Sequence, residues 1–165
     1  RQRQMCIRDS VKEQLQDYLE PKRGICYMDR TLCPDPFHDG EDYLNEVFFG
    51  AQCYDLIDRS MQAILEYDDE YSAHDWRSLV QMCDHKYLMR KRYQYMVQHG
   101  YAAMDDTLHE ELETLEKESL IAQNMYIKYT VTDDLETIRR LRERLQAMKQ
   151  KDICATKTLI SLVEA

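Results

Sequence analysis

Apolar residues recur three and four positions apart along most of this chain, the spacing of a helix that buries one face. Tyr54, Ile57, Met61, Ile64 and Leu65 predict a helix over 43–67, kinked at Gly50. Trp76, Leu79, Val80, Cys83, Tyr87 and Met96 predict the inner face of a second over 74–98. Ser72 or His74 starts that helix, and Gly100 is placed to close it. Leu108, Leu112, Leu115, Ile121 or Ala122, Met125 and Tyr129 mark a third over 106–129. Asp105 and Asp106 stand at the positive end of its dipole. A fourth covers 133–163, capped by Asp133 with Glu136 at the third helical position. Along it Ile138, Leu141, Leu145, Met148, Asp152, Ala155, Leu159 and Leu162 alternate by three and four. That is a bundle stripe which Asp152 interrupts. A shorter pattern, Val11, Leu15, Tyr18 and Leu19, predicts a helix over 11–19. No stretch alternates with the period of two that a half-buried strand requires. The expected fold is all-α, a bundle of four to five helices without a sheet, in one domain over 11–165.

Irregular structure concentrates early. Two of the four glycines and all three prolines fall within 21–40, which predicts a loop over about 20–42. Cys26, Cys33 and His38 share that loop, but without a Cys-x-x-Cys pair or an evident fourth ligand. Asp35, Asp39, Gly40 and Glu46 fall at the first, fifth, sixth and twelfth positions of a calcium loop. Phe37 stands where that loop needs an oxygen ligand, so a solvated acidic turn is the better reading. No metal site and no cofactor are expected.

Charge narrows the partners. The net charge is −9, and a chain this acidic repels nucleic-acid phosphates. No apolar run approaches the roughly 18 residues of a membrane span. Apart from Cys6, the cysteines are scattered and odd in number, which suits reduced thiols in a cytoplasm. One local positive cluster stands out, Lys86, Arg90 and Arg92, with Lys86 and Arg90 a helical turn apart. Such a stripe suits a phosphate or the acidic surface of a carrier protein. The alternative is a solvated face balanced by the acidic residues of 105–118. Tyr87, Tyr93, Tyr95 and Tyr101 crowd the same stretch and read as packing residues with hydroxyls toward solvent or a partner. No catalytic residue is assigned: Cys83 and His85, two apart, point to different sides of a helix.

The first residues carry a different signal. Gln4 to Ser10, Gln-Met-Cys-Ile-Arg-Asp-Ser, resemble a translated sequencing adapter, and Arg1 to Arg3 continue it. Residues 1–10 are therefore expected to be an artefact, with coding sequence missing upstream of Val11. The apparent capping box of Ser10 and Glu13 then has no evolutionary meaning. Four strings share one further resemblance: Val11-Lys-Glu-Gln-Leu-Gln-Asp-Tyr-Leu19, Phe49-Gly-Ala-Gln-Cys-Tyr-Asp-Leu56, Asp84-His-Lys-Tyr-Leu-Met-Arg90 with Arg92, Tyr95 and Met96, and Gln123-Asn-Met-Tyr-Ile-Lys-Tyr129. Together they resemble the C-terminal helical region of bacterial proteins similar to butirosin biosynthesis protein H. The resemblance implies a papain-like acyltransferase or peptidase-like domain upstream, in peptide or antibiotic biosynthesis. It also implies a role for this region in docking a substrate or an acyl carrier protein. That family's cysteine and histidine match no position here. The alternative is a self-standing helical interaction module that associates through Ile138, Leu141, Leu145 and Met148.

Overall fold

The computed structural model describes residues 2–20, 50–66 and 77–164. Trp76, the loop over 21–42 and its Cys26, Cys33, Asp35, His38, Asp39 and Gly40, and also Glu46, lie outside the described residues. Of those described, 92% are helical and none is in a strand, as the periodicity predicts. Helix α1 is Gln2–Leu19, and a 3-10 turn at Gly50–Gln52 leads into α2, Cys53–Glu66. Helices α3 (Arg77–Gln98), α4 (Asp106–Thr132) and α5 (Leu135–Glu164) follow. The first helix runs straight through Ser10, so no cap forms there. Gly50 opens the 3-10 turn that leads into α2, and positions 43–49 of the expected helix lie outside the described residues.

The helices make a four-rod antiparallel bundle in which two of them share one rod. Helix α4 packs between α3 and α5, while α1 and α2 both pack on α5. Tyr18 of α1 bonds to Asp152 of α5. Next along the chain, Asp55 of α2 meets Lys149 at 2.6 Å, and Asp58 meets Arg142 at 2.8 Å. Reading from α1 into α2 thus walks backwards along α5. The two halves join at Gly50, which has φ +53°. A Cβ there would lie within 2.8 Å of the Tyr18 carbonyl carbon and closer still to its oxygen. Only glycine allows both the left-handed backbone and that approach.

Each rod buries a row spaced by three and four. On α2 it is Tyr54, Ile57, Met61 and Ile64. On α4 it is Leu108, Leu112, Leu115, Ser119, Ala122, Tyr126 and Tyr129, so Ala122 rather than Ile121 faces inward. On α3 it is Leu79, Met82, Lys86, Met89, Tyr93 and Met96. This row corrects the face expected for α3. Val80 and Cys83 are half-buried, and Tyr87 points outward at 45% exposure. The amphipathic tyrosine misled the apolar count, because α3 turns it to the rim where its hydroxyl stays wet. Ile138, Leu141, Leu145 and Met148 are all buried inside the chain's own bundle, so they form its core and not an outer surface.

Capping fixes the turns. Asp105 accepts a hydrogen bond from the Leu108 N–H at 2.9 Å and caps α4. Asp133 is not the cap of α5: it closes α4 in the left-handed conformation, φ 49°, donating its N–H to the Tyr129 carbonyl. Asp134 caps α5 instead, accepting from the Glu136 N–H at 3.1 Å and the Thr137 hydroxyl at 2.7 Å. With Asp-Asp in sequence either residue can cap; the helix takes the one not needed for the left-handed turn. Among the described residues no helix is long and apolar enough to cross a membrane.

Candidate functional site

Two of the core rows are interrupted by a charge, and the interruptions meet. Lys86 occupies a core position of α3 at 2% exposure, and Asp152 one of α5 at 1%. The Lys86 Nζ bonds to the Asp152 carboxylate and donates to the Tyr18 hydroxyl at 3.0 Å. Tyr18 in turn donates to Asp152. The ammonium also lies 5.3 Å from the centre of the Tyr18 ring and 5.2 Å from that of Tyr54. Both are within cation–π range. The Tyr54 hydroxyl is buried beside the same carboxylate without a well-formed hydrogen bond. These groups stand at the level where α1 passes into α2.

Burial dominates the electrostatics of the cluster. It pushes the Lys86 ammonium below its ordinary value, against the opposing pull of Asp152. It pushes both the Tyr18 and Tyr54 phenols upward, and the Asp152 charge adds to the rise in each. Ionising either phenol would set a second anion against a buried carboxylate. His85, next to Lys86, stacks on Tyr18 with ring centres 5.0 Å apart. Its pKa falls from 6.5 to about 4, first through burial and then through the Lys86 charge.

Outside this cluster a half-open groove of about 500 Å³ runs between α1 and α3. Val11, Leu15, Leu88, Met89, Met96 and Leu159 give it an apolar floor. Tyr18 and His85 form its wall toward Lys86, Tyr95 and Tyr101 its far side, and Lys91 and Arg92 its rim. The exposed Tyr95 and His99, with ring centres 3.9 Å apart, continue with the half-buried Tyr101 as an aromatic run. Lys91 lies over the exposed Tyr87 ring at 5.6 Å.

The three cations expected to share one stripe are therefore separated. Lys86 is inside, neutralised by Asp152. Arg90 binds Glu116 of α4 through both its Nε and its Nη2, the latter at 3.3 Å. Arg92 is exposed at the rim of the groove, joined there by Lys91, its neighbour in the same basic run. Tyr18, Tyr54 and Asp152 were missed as partners of Lys86. The signal was present: Lys86 sits in register within 79-82-86-89-93-96, as Asp152 does within 138-141-145-148-152-155. Single charges in two core rows are each other's natural partners.

No three His, Cys, Asp or Glu side chains among the described residues come together as metal ligands. Cys53, Cys83 and Cys154 are in no disulfide among the described residues, and Cys83 donates weakly to Gln123 at 3.4 Å. What the groove offers is an apolar trough with cations and an imidazole at one side, which suits an amphipathic group with an anionic head. Comparison with protein-family models, curated proteins and solved structures finds no match to this chain.

Proposed function

We propose that this chain is the helical docking domain of a larger papain-like acyltransferase or peptidase-like protein. In this reading it receives the acyl-phosphopantetheine end of an acidic carrier protein. The single observation that carries the docking half is the α1–α3 groove: an apolar trough with Lys91 and Arg92 at its rim. A phosphopantetheine arm has the matching chemistry, an anionic phosphodiester on an extended chain that ends in an apolar acyl group. The chain as a whole is acidic, so two rim cations give local attraction and register, not bulk affinity. The upstream domain rests on the resemblance of the four strings named above.

The test is binding of an octanoyl-loaded acidic carrier to the full chain, by isothermal titration at low salt. The carrier without its arm should bind at least tenfold more weakly. Lys91→Glu with Arg92→Glu should also weaken binding at least tenfold, and the effect should shrink as salt rises. Equal affinity for the loaded and the armless carrier refutes the arm, and an unaltered double variant refutes the rim.

A second reading, a self-standing interaction module, is favoured by the outer face of α4. Leu120, Ile127 and Val131 are exposed there in register with the exposed Asn124, a spacing of four, three and four. A second copy pairing α4 against α4 would cover that row. Sedimentation of a monomer at 100 μM (about the top of a practical range) would reject it.

A further inference from the structure

The geometry points to His85 as the hydrogen-bond donor at the head of the groove. Its Nε2–H is held toward the phosphate of a bound pantetheine arm by the Asp152–Lys86 pair behind it. The inference rests on the docking reading and assigns the residue that recognises the anion. His85 is a contact residue in this scheme, and Lys86 and Asp152 are positioning residues.

The tautomer follows from the neighbour. His85 Nδ1 lies 3.4 Å from Lys86 Nζ. An ammonium has three donors and no acceptor, so Nδ1 must accept. A neutral ring whose Nδ1 accepts carries its proton on Nε2. The ring stays neutral at pH 7, first because burial disfavours its charged form and then because protonation would set a second cation beside Lys86, with Arg92 also near. Three contacts fix its plane. Tyr18 stacks on it, Asp152 holds the Tyr18 hydroxyl, and Lys86 holds Nδ1. His85 lines the groove, and its Nε2 has no hydrogen-bond partner among the described residues. Arg92 lines the same groove, so a guanidinium and the Nε2–H are both available there to an anion.

Without its backing the donor would not be fixed. An isolated histidine exchanges tautomers and titrates near 6.5, so neither its proton nor its charge is held in place. The buried ion pair thereby has a use at the surface: its ammonium keeps the proton of a half-buried imidazole on Nε2. It mirrors the arrangement that orients imidazoles next to metals, with an ammonium donating to the ring where a carboxylate usually accepts from it.

Two measurements on the full chain decide it. Long-range proton–nitrogen spectra of ¹⁵N-labelled protein should show His85 as the Nε2–H tautomer at pH 7, still neutral at pH 5. In Lys86→Met/Asp152→Leu, which removes both charges together and so avoids stranding either, the same ring should mix tautomers while burial still keeps it neutral at pH 7. Octanoyl-phosphopantetheine should bind His85→Phe about ten- to a hundredfold more weakly than the parent, the loss of one hydrogen bond to a charged group. His85→Gln, which restores an N–H at similar reach, should recover part of that loss. An Nδ1–H tautomer in the parent, or an unchanged affinity in His85→Phe, overturns the inference while the docking reading stands. An Nε2–H tautomer with no arm binding by the parent overturns the docking reading, and with it the ligand assigned here.

Discussion

Replacing Lys86 by Met leaves the side chain's length and volume nearly unchanged and removes only the ammonium. Asp152, 1% exposed, then keeps the Tyr18 hydroxyl but loses its counter-ion. A buried pair contributes little net stability when intact, since desolvating two ions offsets their attraction. Removing one partner is different, and costs about 3–5 kcal/mol, because a charge is stranded in a medium that cannot solvate it. A chain of this size shifts by about 2–4 °C per kcal/mol, so the unfolding midpoint should fall by about 10 °C. Against a typical total of about 5–15 kcal/mol that is a large loss. The assay is urea and thermal unfolding followed by helical circular dichroism at pH 7. The decisive comparison is Lys86→Met/Asp152→Leu, which leaves no unpaired ion and should recover at least about 2 kcal/mol of the loss. Two results refute the reasoning. A single variant within about 1 kcal/mol of the parent would mean that the pair is solvated. A double variant no better than the single would mean that the loss came from packing and not from charge.

Other perturbations reach the same region. Gly50→Ala should destabilise severely, because the new Cβ meets the Tyr18 backbone and not a movable side chain; Gly100→Ala, also at positive φ (+71°) but with nothing within 4 Å, should cost only about 1–2 kcal/mol, and equal losses in the two would contradict the α1–α2 junction. Above pH 10 the unfolded chain ionises all its tyrosines while the folded one holds Tyr18 and Tyr54 protonated. The folded state then binds more protons, so stability must fall as pH rises past 10. Tyr54→Phe should flatten that fall, and phenolate absorbance at 295 nm in the parent should show at least two tyrosines ionising only on unfolding.

The bundle was legible because its core rows repeat by three and four, and that spacing is a property of order along the chain alone. Pattern and structure part where a residue is both apolar and polar, or where neighbours compete for one role. Tyr87 counted as apolar and lies outside; Asp133 and Asp134 exchanged tasks by one position. Lys86, Arg90 and Arg92 were recognisable as a cluster on α3, but a helix projection shows only one helix. It holds neither the Glu116 that takes Arg90 nor the Asp152 that takes Lys86.

Sequence by itself determined the helices, most of their inner faces and the two charged interruptions in otherwise apolar rows. Only the tertiary structure decided that α1 and α2 form one rod, that the two interruptions stand at one level, and that Tyr18 and His85 wall an apolar groove off from them. The physical reason is separation along the chain. Helical period is set by contacts within four residues, whereas Lys86 and Asp152 are 66 residues apart and Tyr18 and Asp152 are 134. Pairings across such distances are fixed by how whole helices align when their apolar rows are buried together.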